Sequence, residues 1–264
     1  MPIQRLHTID VDYVDQGDPS QPVLFLIHGL GCSLKYWGSV FDAPELSRYR
    51  IVALDMPGFG MSGKPDTFDY DLHSQADIAY ALMQSLGIQR CTLIGHSMGG
   101  AVAILLARKY ADRLERLVVI EPNLKAGDAH LSRKIIRQTE AEFIGQYDDF
   151  TRMAVETVQN WFVNSHRADI EEYIRELLKT TPISMYRSAL SLMTVTGDEL
   201  FTQKFQELPV PKDFLMGEET LKIRNVPESF ADSDVNTVIV PGVGHMMMVD
   251  NPVLFNQTLA ALLP

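Results

Sequence analysis

The sequence predicts an α/β fold, a mostly parallel, doubly wound sheet with an inserted helical cap. Runs that are apolar throughout recur at Val23–Ile27, Ile51–Leu54, Cys91–Ile94, Leu117–Ile120, Phe214–Met216 and Thr237–Val240. Each is too short for a helix, and a run without polar alternation suits a strand buried on both faces of a parallel sheet. Helical patterns separate several of these runs, and strand alternating with helix argues for helices on both faces. One interval breaks the rhythm. The step from the run end at 120 to that at 216 is 96 residues, far more than one crossover helix needs.

Taken in order, Ile3–Gln16 alternates loosely and predicts antiparallel edge strands. Leu72–Leu86 sets Ala76, Ala79, Tyr80, Met83 and Leu86 at helical spacing and stops at Gly87, a good end signal. Met98–Tyr110 and Pro252–Leu263 also read as helices. The long interval holds four helix candidates: Arg133–Phe143, Asp149–Phe162, Ala168–Lys179 and Met185–Val195. Their polar, single-faced character predicts a cap over residues 123–206, resting on a core made of 1–122 and 207–264. A separate domain is the alternative.

Composition narrows the function. Of 264 residues, 46% are hydrophobic and 22% charged, which excludes a disordered, collagen-like or coiled-coil chain. The 34 Asp and Glu against 23 Lys and Arg leave a net charge of −11. That sign argues against a general nucleic-acid binder and against an anionic membrane surface, but leaves a small neutral substrate open. The longest apolar run, Ala101–Ala107, falls well short of the roughly 20 residues that span a bilayer, so no transmembrane helix is expected. Gln4, Arg5, His7, Asp10 and Asp12 stand where a signal peptide would need an apolar stretch. Cys32 and Cys91 suit reduced core thiols in a cytoplasmic protein, with a Cys32–Cys91 disulfide as the alternative. No His-Glu-x-x-His, zinc-spaced cysteine pair or Gly-x-Gly-x-x-Gly after a strand occurs, so neither metal nor cofactor is expected.

Chemistry concentrates in three glycine-rich stretches, each following a predicted strand. Gly95-His96-Ser97-Met98-Gly99-Gly100 lies between the run Cys91–Ile94 and a helix, the context of a nucleophile elbow. A serine on so tight a turn needs neighbours without side chains, hence Gly95 and Gly99. The turn lifts the Ser97 hydroxyl off the sheet and aims helix N–H groups at developing negative charge. His28-Gly29-Leu30-Gly31 follows Val23–Ile27. Its flexible backbone can turn the Leu30 N–H inward, to form an oxyanion hole with the N–H of Met98. His28 reads as a hydrogen-bonding residue that shapes this loop. The third stretch is Asp55-Met56-Pro57-Gly58-Phe59-Gly60-Met61-Ser62, alone only a turn.

Together, in this order, the three motifs resemble the α/β-hydrolase fold superfamily, in its serine esterase and lipase-like branch with a helical cap. The resemblance spans nearly the whole chain outside the cap and implies the chain order nucleophile, acid, histidine. His130, His166 and His245 are the histidines that follow Ser97; the first two fall in the cap, leaving His245, in Pro241-Gly242-Val243-Gly244-His245, as the base. The acid departs from the common pattern: Thr220 stands where the family usually carries Asp after Gly217. Some members place the acid after the next strand beyond the nucleophile, here Glu121; Glu219 and Glu218 are the alternatives.

The activity implied is a cofactor-independent serine hydrolase acting on a small-molecule carboxylic ester of short to medium acyl chain. Serine at 97 disfavours the dehalogenases and epoxide hydrolases of the family, which use a carboxylate there. Met246–Val249 after the histidine, without Trp, weakens a carbon–carbon hydrolase. A lyase, perhydrolase, thioesterase or triad-retaining small-ligand receptor remains open. Trp161, Phe162, Met185, Tyr186, Met193 and Met246–Met248 are pocket candidates, although most such side chains are ordinary core.

Overall fold

The computed structural model describes residues 2–159 and 161–263. Its strands are β1 (Ile3–Leu6), β2 (Ile9–Gln16), β3 (Val23–Ile27), β4 (Arg50–Leu54), β5 (Cys91–His96), β6 (Leu114–Ile120), β7 (Lys212–Gly217) and β8 (Val235–Val240). They form one sheet in the order β1-β2-β4-β3-β5-β6-β7-β8. The pairs β1–β2 and β2–β4 are antiparallel, as the alternation at the N-terminus predicts, and every later pair is parallel. Every residue of β3, β4 and β5 is buried, which is why their sequences show no polar alternation.

The helices are α1 (Gly38–Phe41), α2 (Leu72–Ser85), α3 (Met98–Lys109), α4 (His130–Ile135), α5 (Glu140–Gly145), α6 (Tyr147–Gln159), α7 (Arg167–Leu177), α8 (Pro182–Thr196), α9 (Phe201–Gln206), α10 (Met247–Asp250) and α11 (Pro252–Leu262). Helix α2 starts where the Asp71 carboxylate accepts the His73 N–H, and α11 starts on the Asn251 side chain with Pro252 in the first turn. In α3, Met98 through Ala107 are all buried, so this helix forms the centre of the core. Helices α4 to α9 all lie between β6 and β7 in sequence.

Several strands are longer than their apolar runs because buried polar residues at their starts find partners across the sheet. Arg50 binds Asp15, Lys212 reaches Asp234 and the Leu208 carbonyl, and Asp213 accepts from Arg116 and Asn236. The helix expected over Arg133–Phe143 is two helices. Thr139 and Glu142 cap each other's backbone N–H and start α5 afresh. The segment expected as a helix over Asp149–Phe162 begins two residues earlier, and Asn160 within it lies outside the described residues. Helix α9 carries no clear apolar period and is absent from the sequence-based expectation.

The chain runs from β3 out to β4 and then back across β3 to β5. Connections leaving β3 and β5 diverge, so a crevice opens at the C-terminal ends of these two strands. The Gly29–Gly31 loop and Ser97 both emerge there.

Candidate active site

Ser97 sits between β5 and α3 at φ 54°, ψ −121°, a left-handed conformation that costs energy for any residue with a side chain. The flanking glycines are sterically required. A Cβ on Gly95 would lie 2.3 Å from the Gly99 carbonyl oxygen, and one on Gly99 would lie 2.3 Å from that of His28. The Ser97 N–H still bonds to the Ile120 carbonyl at 2.9 Å, so the elbow hangs directly from the β5–β6 ladder.

Glu121, one residue past β6, repeats the left-handed geometry at φ 49°. Its N–H bonds the Leu215 carbonyl of β7, which turns the side chain toward the ends of β7 and β8. The carboxylate is completely buried and has three partners: the Gly217 N–H at 2.7 Å, the Arg224 guanidinium at 3.2 Å and His245 Nδ1 at 3.5 Å. Burial alone would raise its pKa, but the bond to His245, the charge of His245 and that of Arg224 outweigh burial and hold it below the ordinary glutamate value. Glu219 and Thr220 line the same cavity, but neither they nor Glu218 bonds to the His245 ring. Glu218 is exposed and accepts the Gly242 N–H, Glu219 pairs with Lys222, and buried Thr220 closes a turn through its carbonyl.

His245 follows β8. Its backbone carbonyl accepts a hydrogen bond from His96 Nε2 at 2.9 Å, and Trp161 packs edge-on against its ring at 5.5 Å. His96 is buried, and desolvation with the neighbouring His245 charge drives its pKa well down, so it donates as a neutral ring. Nothing in the sequence signals this role for the residue before Ser97. Arg224 is likewise a residue that sequence reading misses; its Nη1 also binds the Pro122 carbonyl at 3.1 Å, which clamps the turn that carries Glu121.

The Gly29–Gly31 loop is held from three sides. The Met56 N–H donates to His28 Nε2 at 3.0 Å, so Nδ1 carries the ring proton and donates to the Gly29 carbonyl at 2.8 Å. Cys32 N–H binds the same carbonyl at 3.2 Å. With that carbonyl fixed, the trans peptide points the Leu30 N–H the opposite way, and among the described residues this N–H forms no hydrogen bond. Tyr173 of α7 donates its hydroxyl to the Leu30 carbonyl at 3.2 Å. Asp55 of the third motif accepts the Leu34 and Met61 N–H groups at 2.7 Å each, tying that motif to the loop. Burial raises the Asp55 pKa to about 6. Met98 opens α3, where the first N–H groups lack intrahelical acceptors.

Ser97, Glu121, His245 and Leu30 line one cavity of about 160 Å³, and Cys32, Leu131, Trp161, Val163, Leu192, Arg224 and Met246 complete much of its wall. Of the apolar pocket candidates, Trp161 and Met246 line it, whereas Phe162, Met185, Tyr186, Met193, Met247 and Met248 pack with the hydrophobic core. Cys32 and Cys91 are buried free thiols. A serine on a strained turn, an imidazole and an ionised carboxylate in one small cavity are equipped for acyl transfer.

A family model described as alpha/beta hydrolase fold matches residues 22–255. Epoxide hydrolase 3 of Xenopus tropicalis is 25% identical over 93% of this chain and 72% of its own length. Other curated relatives, 33–38% identical, are matched over only 29–47% of their own length. Among solved structures, the enol-lactonase from Burkholderia xenovorans LB400 superposes with a TM-score of 0.80 at 16% identity, over 99% of both chains. An esterase from Exiguobacterium antarcticum gives 0.78 at 18% identity, over 98% of this chain and 97% of that one.

Proposed function

Because the chain belongs to the α/β hydrolase fold family, we propose that it is a serine hydrolase cleaving a carboxylic ester of short to medium acyl chain through an acyl-enzyme. The observation that carries this reading is the contact of buried Glu121 with His245, in the cavity that Ser97 also lines. Ser97 Oγ attacks the ester carbonyl while His245 takes its proton. The N–H groups of Leu30 and Met98 hold the negative oxygen of the tetrahedral species. His245 then protonates the departing alcohol, and water activated by the same imidazole releases the acid and restores Ser97. Glu121 fixes the imidazole tautomer and balances the charge it acquires. A serine at 97, where a carboxylate nucleophile would suit an epoxide, favours an ester or lactone.

The cavity supports the acyl range. Its volume, about 160 Å³, is close to the roughly 150 Å³ of an engineered cavity that holds benzene, so a group of about six carbons fits, which supports a short to medium acyl chain. We read residues 123–206 as a cap that limits this volume and excludes water during reaction.

The test is a series of p-nitrophenyl esters from acetate to palmitate, beside lactone and thioester substrates and a serine-reactive fluorophosphonate probe. Turnover is expected to peak at short to medium chains. Ser97→Ala should lower it by several orders of magnitude and abolish labelling. Labelling at another residue, or near-parental turnover by the variant, refutes the mechanism.

A further inference from the structure

One buried carboxylate outside the triad joins the two sides of the cavity. Asp250 ends α10, five residues after His245, and is 7% exposed. Its Oδ2 accepts the N–H of Gly244, the residue before His245, at 3.2 Å. Its Oδ1 accepts three donors from the segment between α6 and α7: the N–H groups of Val163 and Asn164 at 2.9 and 3.3 Å and the Ser165 hydroxyl at 2.7 Å. Asn164 adds a bond from its amide to the Gly242 carbonyl at 2.8 Å. The same segment supplies Trp161 and Val163 to the cavity wall, and Trp161 packs on the His245 ring. The contact is close throughout. A Cβ on Gly244 would lie 2.8 Å from Val163 and 3.5 Å from the Trp161 carbonyl oxygen.

We infer that Asp250 is a positioning residue that sets the His245 loop and seats segment 161–165 over the cavity, so that covering the site and placing its base are one event. The inference rests on the hydrolase reading for its catalytic consequence only. Four donors converge on two oxygens that an ionised carboxylate alone can satisfy. An asparagine offers one accepting oxygen, and its amide group then faces either Gly244 N–H or the three donors of the segment. Asp250→Asn therefore breaks the tie on one side while preserving shape.

The decisive comparison is between the parent, Asp250→Asn, Ser165→Ala and the double variant, each checked for a cooperative melt. Amide hydrogen exchange is read at 161–165 and 242–246, and kinetics on butyrate and octanoate esters. In Asp250→Asn, exchange should rise in both segments together. Its kcat should fall by about 10- to 100-fold, the scale of a 1 Å misplacement, with KM for butyrate changed far less. The octanoate-to-butyrate ratio of kcat/KM should rise several-fold as the cover loosens. Ser165→Ala should raise the same ratio and add little in the Asp250→Asn background, because both act on one tie. Exchange that rises in only one segment, parental kcat and ratio in Asp250→Asn, or additive effects in the double variant overturns the inference. If Asp250→Asn fails to fold, exchange at 242–246 in Ser165→Ala decides: a rise supports the tie and parental protection overturns it. If the parent turns over no ester and Ser97 is not labelled, the hydrolase reading fails while hydrogen exchange still judges the tie.

Discussion

Replacing Glu121 by glutamine removes one negative charge from a point where three donors meet: the Gly217 N–H, the Arg224 guanidinium and His245 Nδ1. The amide supplies a single accepting oxygen. If that oxygen keeps the 2.7 Å bond to Gly217, the amide NH₂ faces two further donors and the imidazole loses its tautomer control. The electrostatic loss follows from the 3.5 Å separation of Glu121 and His245: at an effective dielectric constant of about 20, a carboxylate stabilises an imidazolium there by about 5 kcal/mol. At about 1.4 kcal/mol per decade this corresponds to a fall in kcat of about 10³ to 10⁴. Arg224, left with only the more distant Asp128 carboxylate at 3.9 Å, keeps more of its positive charge beside the site and pushes the loss toward the upper end. Steady-state kinetics on p-nitrophenyl butyrate should show that fall with KM little changed, since the interaction strengthens only as the imidazole becomes charged. Glu219→Gln and Glu218→Gln should each cost less than about tenfold. Near-parental kcat in Glu121→Gln, or an equal loss in Glu219→Gln, would refute the assignment of the acid.

Gly95→Ala drives a Cβ to 2.3 Å from the Gly99 carbonyl oxygen and should lower Tm by several degrees and abolish turnover, whereas Gly145→Ala, in helix α5 with nothing within 4 Å of its Cβ, should keep turnover and hold or slightly raise Tm; equal melts for the two variants contradict the steric account. Acid should weaken the fold through His28, which burial holds neutral with a pKa lowered to about 4. The unfolded chain binds its proton near pH 6.5, so this contribution is complete above that pH and is lost as pH falls toward 4; between pH 7 and pH 5 it amounts to about 2 kcal/mol. Asp55, raised to about 6 by burial, acts with the opposite sign over an overlapping range, so the parent's slope alone mixes the two. Urea unfolding at pH 7 and pH 5 should therefore show the stability gap between the parent and His28→Asn narrowing by about that amount, and a gap independent of pH would count against a buried neutral His28.

The parallel core was legible because β3 and β5 are buried on both faces and announce this as unbroken apolar runs. Strand starts were not, because Lys212 and Asp213 read as loop residues until their partners Asp234, Arg116 and Asn236 arrive from elsewhere in the chain. Ser97 was visible because steric crowding at Gly95 and Gly99 is written into local spacing. Glu121 needed the family pattern, since a glutamate at a strand end carries no local mark of its burial. Arg224 and Asp250 gave no signal, as their partners Glu121 and Ser165 lie 103 and 85 residues away. The break at Thr139 was written in its capping box, but the apolar period running across it dominated the reading.

Ser97 and Glu121 share a left-handed backbone at the ends of neighbouring strands, and neither is glycine. The two sites differ in what losing the side chain would do. At Ser97 a glycine would relieve the backbone strain and remove only a small hydroxyl, whereas at Glu121 it would also strand the Gly217 N–H and the Arg224 guanidinium. Selection for heat resistance and selection for turnover therefore pull in opposite directions at position 97 and in the same direction at position 121. A laboratory lineage screened on melting temperature alone drifts toward glycine at 97 while keeping Glu121, and screening for stability in this chain has to hold position 97 fixed.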